Sequence, residues 1–551
     1  MLQSVINQLQ SNDSSFTVLD FRNVSGSVGS TSVVANNEKV DQLLQALRNN
    51  KTIETVNITI HFFRLLTDQQ KIDLMDAIGA VDTLKSLQIG SSGFSGAPLL
   101  ATTQALRQAK HLVSLRLHSI HFRETVYYRR TESGDMNTHD EDFVAFCQVL
   151  RTLDSLHSFA LDDAESSIDL DSVVSALSEL PRLKEVYFKC FTYPEVPCLS
   201  RESLQCLCRS PTVGVLTLKR LNLSSLVPDF LIELERNPVM TSLSLECNQL
   251  TMESGFAIAH LIEANSSLSY LNLGYNLLPD ECGVLIAMSL LGNTVLKHLD
   301  MSANGLRGRT CTALASVLGN DNIQAGSALE YLSLAQNQLG DEGCKTIATG
   351  LANNTRLQVL TLAETNIQDD GCLELANVLA ENRVSLTRLN LSDNKVTNVG
   401  CLALAEALRN NTKLKSLSLF NNRIGNVGVA GLANVLQATN RTLEQLNLAG
   451  NQQIDGSSPF EALEQMLAEN MVLRELWTPR IPYDSNIPTY LKLNQVGRRH
   501  LFQHTSFIEE WVDALAVCSD NLACLYYLLR GNPTICETEV GKIGINSRAG
   551  R

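Results

Sequence analysis

LEYLSLAQNQL at 329–339 and LQVLTLAETNI at 357–367 are two copies of one template, and the template recurs. LTRLNLSDNKV follows at 386–396, LKSLSLFNNRI at 414–424 and LEQLNLAGNQQI at 443–454. Toward the N-terminus, LKHLDMSANGL begins at 296, LSYLNLGYNLL at 268 and MTSLSLECNQL at 240. Successive starts lie 28, 28, 33, 28, 29, 28 and 29 residues apart, the 33 carrying an extra stretch around Asp321 to Gly326. A fixed period of this length marks a stacked-repeat solenoid. L-x-L puts two side chains on one face of a strand. An Asn three residues later can turn the chain and satisfy backbone groups of a buried loop. It stands at Asn248, Asn276, Asn304, Asn337, Asn394, Asn422 and Asn451, with Thr365 in its place once. Stacking predicts a ladder of these amides.

The second half of each unit reads as a helix, as in CKTIATGLANN from Cys344 and CLALAEALRNN from Cys401. Apolar residues recur there at three- and four-residue spacing, and small residues allow close packing on the sheet. Cys311, Cys344, Cys372 and Cys401 each lie seven residues after the ladder position. Equivalent sites one repeat apart read as small core residues, since they lack the local spacing of a zinc site. Weaker cores continue upstream: IETVNI at 53, LKSLQI at 84, LVSLRL at 112, LHSFAL at 156, LKEVYF at 183 and VGVLTL at 213. FTVLDF at 16 and LRELWT at 473 look like end units, which brings the total to about sixteen.

The L-x-x-L-x-L-x-x-N-x-L core, the 28/29 alternation and the long helical half resemble leucine-rich repeats of the ribonuclease-inhibitor type. The resemblance is specific from 240 to about 454 and extends back to 53. It implies an α/β fold: a right-handed horseshoe with a parallel inner sheet and outer helices. The Ran GTPase-activating protein and the sensor region of NOD-like receptors share this repeat type. Ribonuclease inhibitor has Cys at many ladder positions where this chain has Asn, so an inhibitory role gains nothing from the match. The string YLKLNQVGRR…W…LYYLLRGNP also resembles C-terminal tails of uncharacterised microalgal leucine-rich-repeat proteins.

Composition narrows the function classes. The 551 residues are 44% hydrophobic, enough for a sizeable core, while 58 acids against 44 Lys and Arg give a net charge of −14. Such a chain is a poor fit to nucleic acid or an anionic membrane, and a basic partner suits it better. No apolar run reaches a membrane span and the N-terminus has no leader pattern, so the cytoplasm, or the nucleus, is the expected compartment.

The expected organisation is an N-terminal cap with a degenerate first repeat at 1–52 and irregular units at 53–239. Regular units follow at 240–478, then a helical cap at 479–537 and a polar tail at 538–551. RETVYYRRTESGDMNTHDED at 123–142 is surplus to the period, and reads as a loop or as an arm anchored by Tyr127, Tyr128, Arg129 and Arg130. HTSFIEEWVDALAVC reads as a helix capped by Thr505 or Ser506, and DNLACLYYLLRGNP as a second. Cys518, Cys524 and Cys536 are spaced too widely for zinc.

No phosphate loop, H-E-x-x-H, G-x-S-x-G or kinase motif set occurs, so an enzyme, a cofactor and a metal are not expected. The strand residues facing away from the core would form the concave face. They are Glu246, Tyr270, Tyr275, His298, Asp300, Tyr331, Glu364, Arg388, Asn390, Asp393 and Phe420. Tyr270, Tyr275, His298 and Tyr331 fall on three neighbouring strands and suggest one aromatic patch, the usual material of binding hot spots. The expectation is a non-enzymatic scaffold for a protein partner on this face, with no small-molecule substrate. The alternatives are an activator of a small GTPase and an intracellular receptor or inhibitor.

Overall fold

The computed structural model describes residues 2–21, 37–59, 62–63, 65–90, 97–118, 141–164, 168–190, 198–320, 327–482, 484–503 and 508–532. It divides into two compact units, Met1–Leu277 and Leu278–Arg551. In each, strands and helices alternate, and the strands pair in parallel in chain order. Among the described residues, nine strands belong to the first unit, from Val18–Asp20 to Tyr270–Asn272. Seven belong to the second, from His298–Asp300 to Glu475–Trp477. Every template copy holds a strand, including the two end units, so the repeat predicts the α/β solenoid class correctly.

The template explains the packing. In the second unit Leu332 is in register with Leu360, and the column continues through Leu389, Leu417, Leu446 and Leu476. All are buried, with Leu334, Leu362 and Leu391 beside them. Burying each such side chain contributes about 1.5–3 kcal/mol.

From 240 onward the strands are three residues long. A left-handed residue precedes the ladder position in each of these repeats: Cys247, Tyr275, Ala303, Gln336, Glu364, Asp393, Asn421 and Gly450. That conformation costs a non-glycine residue about 1–2 kcal/mol. The ladder offsets it. Asn337 is buried, and its Oδ1 accepts from the backbone N–H groups of Asn304 and Leu306 in the preceding repeat at 3.2 and 3.1 Å. Its Nδ2 donates to the carbonyls of Met301 and Leu334 at 3.0 Å each. Asn276 and Asn394 repeat the arrangement. Asn248, Asn304, Asn422 and Asn451 each bind at least one backbone N–H of the preceding repeat.

Two further sets of bonds join repeats. Asn265, Asn354, Asn411, Asn440 and Asn470 sit at helix ends and donate from Nδ2 to the Leu234, Leu318, Leu379, Leu408 and Leu436 carbonyls one repeat back. At several helix starts of the second unit, capping comes from the preceding repeat. The helices Gly308–Leu318 and Asp369–Ala380 have no side-chain cap of their own. Instead the Asp280 carboxylate accepts from the N–H groups of Arg307, Arg309 and Thr310 at 2.7, 3.2 and 3.1 Å. Asp341 serves Gln368 and Gly371, and Asp369 serves Thr397 and Gly400.

The segment after Trp477 holds more helix than its broken period suggests. Ile487–Gln495 and Arg498–Gln503 precede Ile508–Val517 and Leu522–Gly531. Leu493, Leu501, Trp511, Cys518, Cys524 and Leu528 form their core. Asn494 donates to the Asn470 and Leu473 carbonyls at 3.0 and 2.7 Å, continuing the helix-end ladder into the cap. The capping choice at Thr505 or Ser506, Cys536 and the 538–551 tail lie outside the described residues, as does 123–140 of the surplus segment.

Candidate functional site: the open face of the sheet

On each three-residue strand from 242 onward the middle leucine points inward and its two neighbours point to the other face. Register aligns these neighbours into rows. In the second unit one row runs His298, Tyr331, Val359, Arg388, Ser416, Gln445 and Glu475. The next runs Asp300, Ser333, Thr361, Asn390, Ser418, Asn447 and Trp477.

His298 and Tyr331 are brought together, their rings stacked 3.7 Å apart at 9°. Burial lowers the His298 pKa from its ordinary 6.5, against an opposing pull from Asp300, so the imidazole is neutral at neutral pH. Burial, with the Asp300 charge, raises that of Tyr331. Asp300 accepts from the Ser302 N–H at 2.8 Å, and Ser302 Oγ meets Ser333 Oγ at 2.6 Å. Arg388 is exposed in the same row.

Five of the expected strand residues, Glu246, Tyr275, Glu364, Asp393 and Phe420, lie beyond the strand ends. Tyr275, Glu364 and Asp393 occupy the left-handed turn position, because the strand ends before them. Tyr275 is half exposed there. Glu364 accepts from Gln336 Nε2 at 2.6 Å, and Asp393 from Asn421 Nδ2 at 2.7 Å. Phe420 is exposed one residue before the turn. In the first unit, Tyr270 lies in register with Ser242, and Glu246 binds Lys219 at 2.5 Å.

The sequence reading passed over other residues on this face. Trp477, 45% exposed, ends the last strand. In the first unit Arg116 lies over the Tyr187 ring at 5.5 Å. Asp162 joins His118 at 3.4 Å and Lys189 at 3.2 Å. All but Asp162 occupy outward or terminal positions of the weaker template copies, which is the signal that would have found them.

A family model described as Leucine Rich repeat matches residues 328–348, 384–405, 410–433 and 439–457. Pig (Sus scrofa) ribonuclease inhibitor is 31% identical over 200 residues, which are 36% of this chain and 42% of that protein. The matched segments are leucine-rich repeats, and the chain is similar to ribonuclease inhibitor over those 200 residues. This repeat protein spans less than half the length of the pig relative. An internalin of Listeria monocytogenes is similar at 16% identity and a TM-score of 0.35, over 65% of this chain and 80% of that one. The actin-binding site 2 of leiomodin-1 is similar at 23% identity and a TM-score of 0.21, over 29% and 76%.

The helices of these repeats place cysteines at equivalent buried positions. This column of buried thiols is protonated at neutral pH, since burial pushes Cys311 and Cys401 up to about 12. Among the described residues no three of His, Cys, Asp and Glu gather as metal ligands would. Nor is any described helix long and apolar enough to cross a membrane.

Proposed function

We propose that this leucine-rich-repeat chain is a non-enzymatic scaffold that holds a partner protein on the strand face opposite its buried leucines. One observation carries the reading: a row across seven strands that begins with the His298–Tyr331 stack and passes through Arg388. Stacked rings, Arg and Trp on an accessible sheet are the side chains that concentrate binding energy. The pig relative's name says that it inhibits a ribonuclease, and what carries over is a protein as the partner. Asp300 and Glu475 in the rows, with Glu364 and Asp393 on the turns, suit a partner with a basic surface.

The test is affinity capture from the source cell's lysate. Wild type is compared with a folded variant carrying Tyr331→Ala, Arg388→Glu and Trp477→Ala. Loss of a specific partner supports the face, with each hot-spot truncation costing at least about 2 kcal/mol. An identical partner set would remove binding from this face. If the captured partner is a small GTPase, its GTP hydrolysis with and without the chain separates a scaffold from an activator.

A further inference from the structure

In the second unit the edge where chains enter the strands carries a groove of about 440 Å³, closed on one side by the C-terminal cap. Lys415, Arg441 and Arg474 line it from three successive repeats, and Arg499 and His500 from the cap. Glu444 is the one carboxylate among the lining residues, and outside the lining Glu510 lies 3.6 Å from His500 Nδ1. Glu444 lies 3.6 Å from Lys415 Nζ and 3.8 Å from Arg474 Nη1, beyond good hydrogen-bond range, so one negative charge is shared between two positive ones. Arg441 donates to the carbonyls of Leu436, Asn440 and Gln437, which fix its guanidinium without neutralising it.

The corresponding edge of the first unit provides the contrast. There a groove of about 430 Å³ is lined by Lys85 and Arg182 but also by Glu54 and Asp82, so its fixed charges balance. Four fixed cations against one acid is therefore no general property of the repeat, and it stands out in a chain of net charge −14.

Two buried polar groups lie beside the groove: the Asn494 oxygen calls for a donor rather than an anion, while Arg498, enclosed behind the lining, contributes charge without reaching a ligand. Asn494 lines the groove, and its Oδ1 is buried with no hydrogen-bond partner. The amide is not reversed, because its Nδ2 already donates to two carbonyls. Arg498, between the lining residues Gly497 and Arg499, is 0% exposed and has unpartnered Nε and Nη1 atoms. Its guanidinium lies between the Tyr490 and Tyr527 rings at 5.4 and 5.6 Å. A further buried cation thus adds to the local positive potential.

We propose that the groove formed by Lys415, Arg441, Arg474, Arg499 and His500 binds a small phosphate-bearing polyanion. The volume suits a small molecule, and guanidinium forks match phosphate oxygens. This site is separate from the strand face proposed for the partner protein.

The experiment is isothermal titration of the full chain with inorganic tripolyphosphate, in roughly 0.05 M salt to limit screening. The expected result is one site per chain, weakened roughly tenfold in Arg474→Gln and again in Arg499→Gln. Glu444→Gln removes the opposing charge and should tighten binding, a gain that misfolding cannot imitate. Arg182→Gln, in the balanced groove, should bind as wild type does. No binding, equal loss in Arg182→Gln, or unchanged affinity in both groove arginine variants and in Glu444→Gln would each overturn the site. A Glu-rich peptide that binds through these arginines when tripolyphosphate does not would overturn the ligand class.

Discussion

At Asn337 one amide closes four backbone bonds in two repeats, so its loss is felt on both sides. Asn337→Ala should destabilise by about 1–3 kcal/mol through unpaired buried groups. Amide hydrogen exchange should rise at Asn304 and Leu306 as well as in the mutated turn; unchanged protection there would contradict the bridging role. Asp280 adds a pH dependence. Burial raises its pKa, but bonds from Thr310 and from the N–H groups of Arg307, Thr310 and Arg309 together bring it below its ordinary 3.8. The folded state therefore binds this proton less readily than the unfolded chain. The contribution is present above that ordinary value and lost as pH falls through the lower folded one. Wild type should exceed Asp280→Asn in melting temperature at neutral pH, and the gap should close in acid. A gap independent of pH would remove the charge from the account.

Between elements, the helices approach closely enough to exclude side chains. A Cβ on Gly350 would lie 2.5 Å from Ala315 Cα, so Gly340–Leu351 rests directly on Gly308–Leu318. Gly350→Val should cost about 1–3 kcal/mol by forcing the pair apart, seen as a lower denaturation midpoint. A neutral result would mean that the helices can separate freely. What was legible at this scale was local. L-x-L is a period-2 signal complete within three residues, so even FTVLDF and LRELWT could be read. Asp280 acts on residues 27 to 30 positions away, and no local pattern announces such a cap. Tyr275, Glu364 and Asp393 alternate like outward strand residues. They were misplaced because a left-handed turn at a non-glycine residue leaves no mark in the sequence.

Over the second unit as a whole, the repeats need a lid, and the cap supplies polar partners as well as apolar cover. Asn494 and Arg498 hold the Asn470 carbonyl at 3.0 and 3.1 Å. A chain ending at 478 should show faster hydrogen exchange across 443–477 and should associate on light scattering. Retained protection in a monomer would make the cap dispensable for the fold. The candidate site was partly legible: His298, Tyr331 and Arg388 followed from alternation, but the stacking of the two rings depends on register between repeats. The capping of one helix by the repeat before it gives the array a grammar. Several units of the second half have an opening that the predecessor helps to complete and a closing carbonyl that the successor's Asn uses. Whole periods can then be duplicated or deleted as words in a sentence, and a repeat inserted after the one carrying Asp280, Asp341, Asp369 or Asn398 inherits a cap for its helix start.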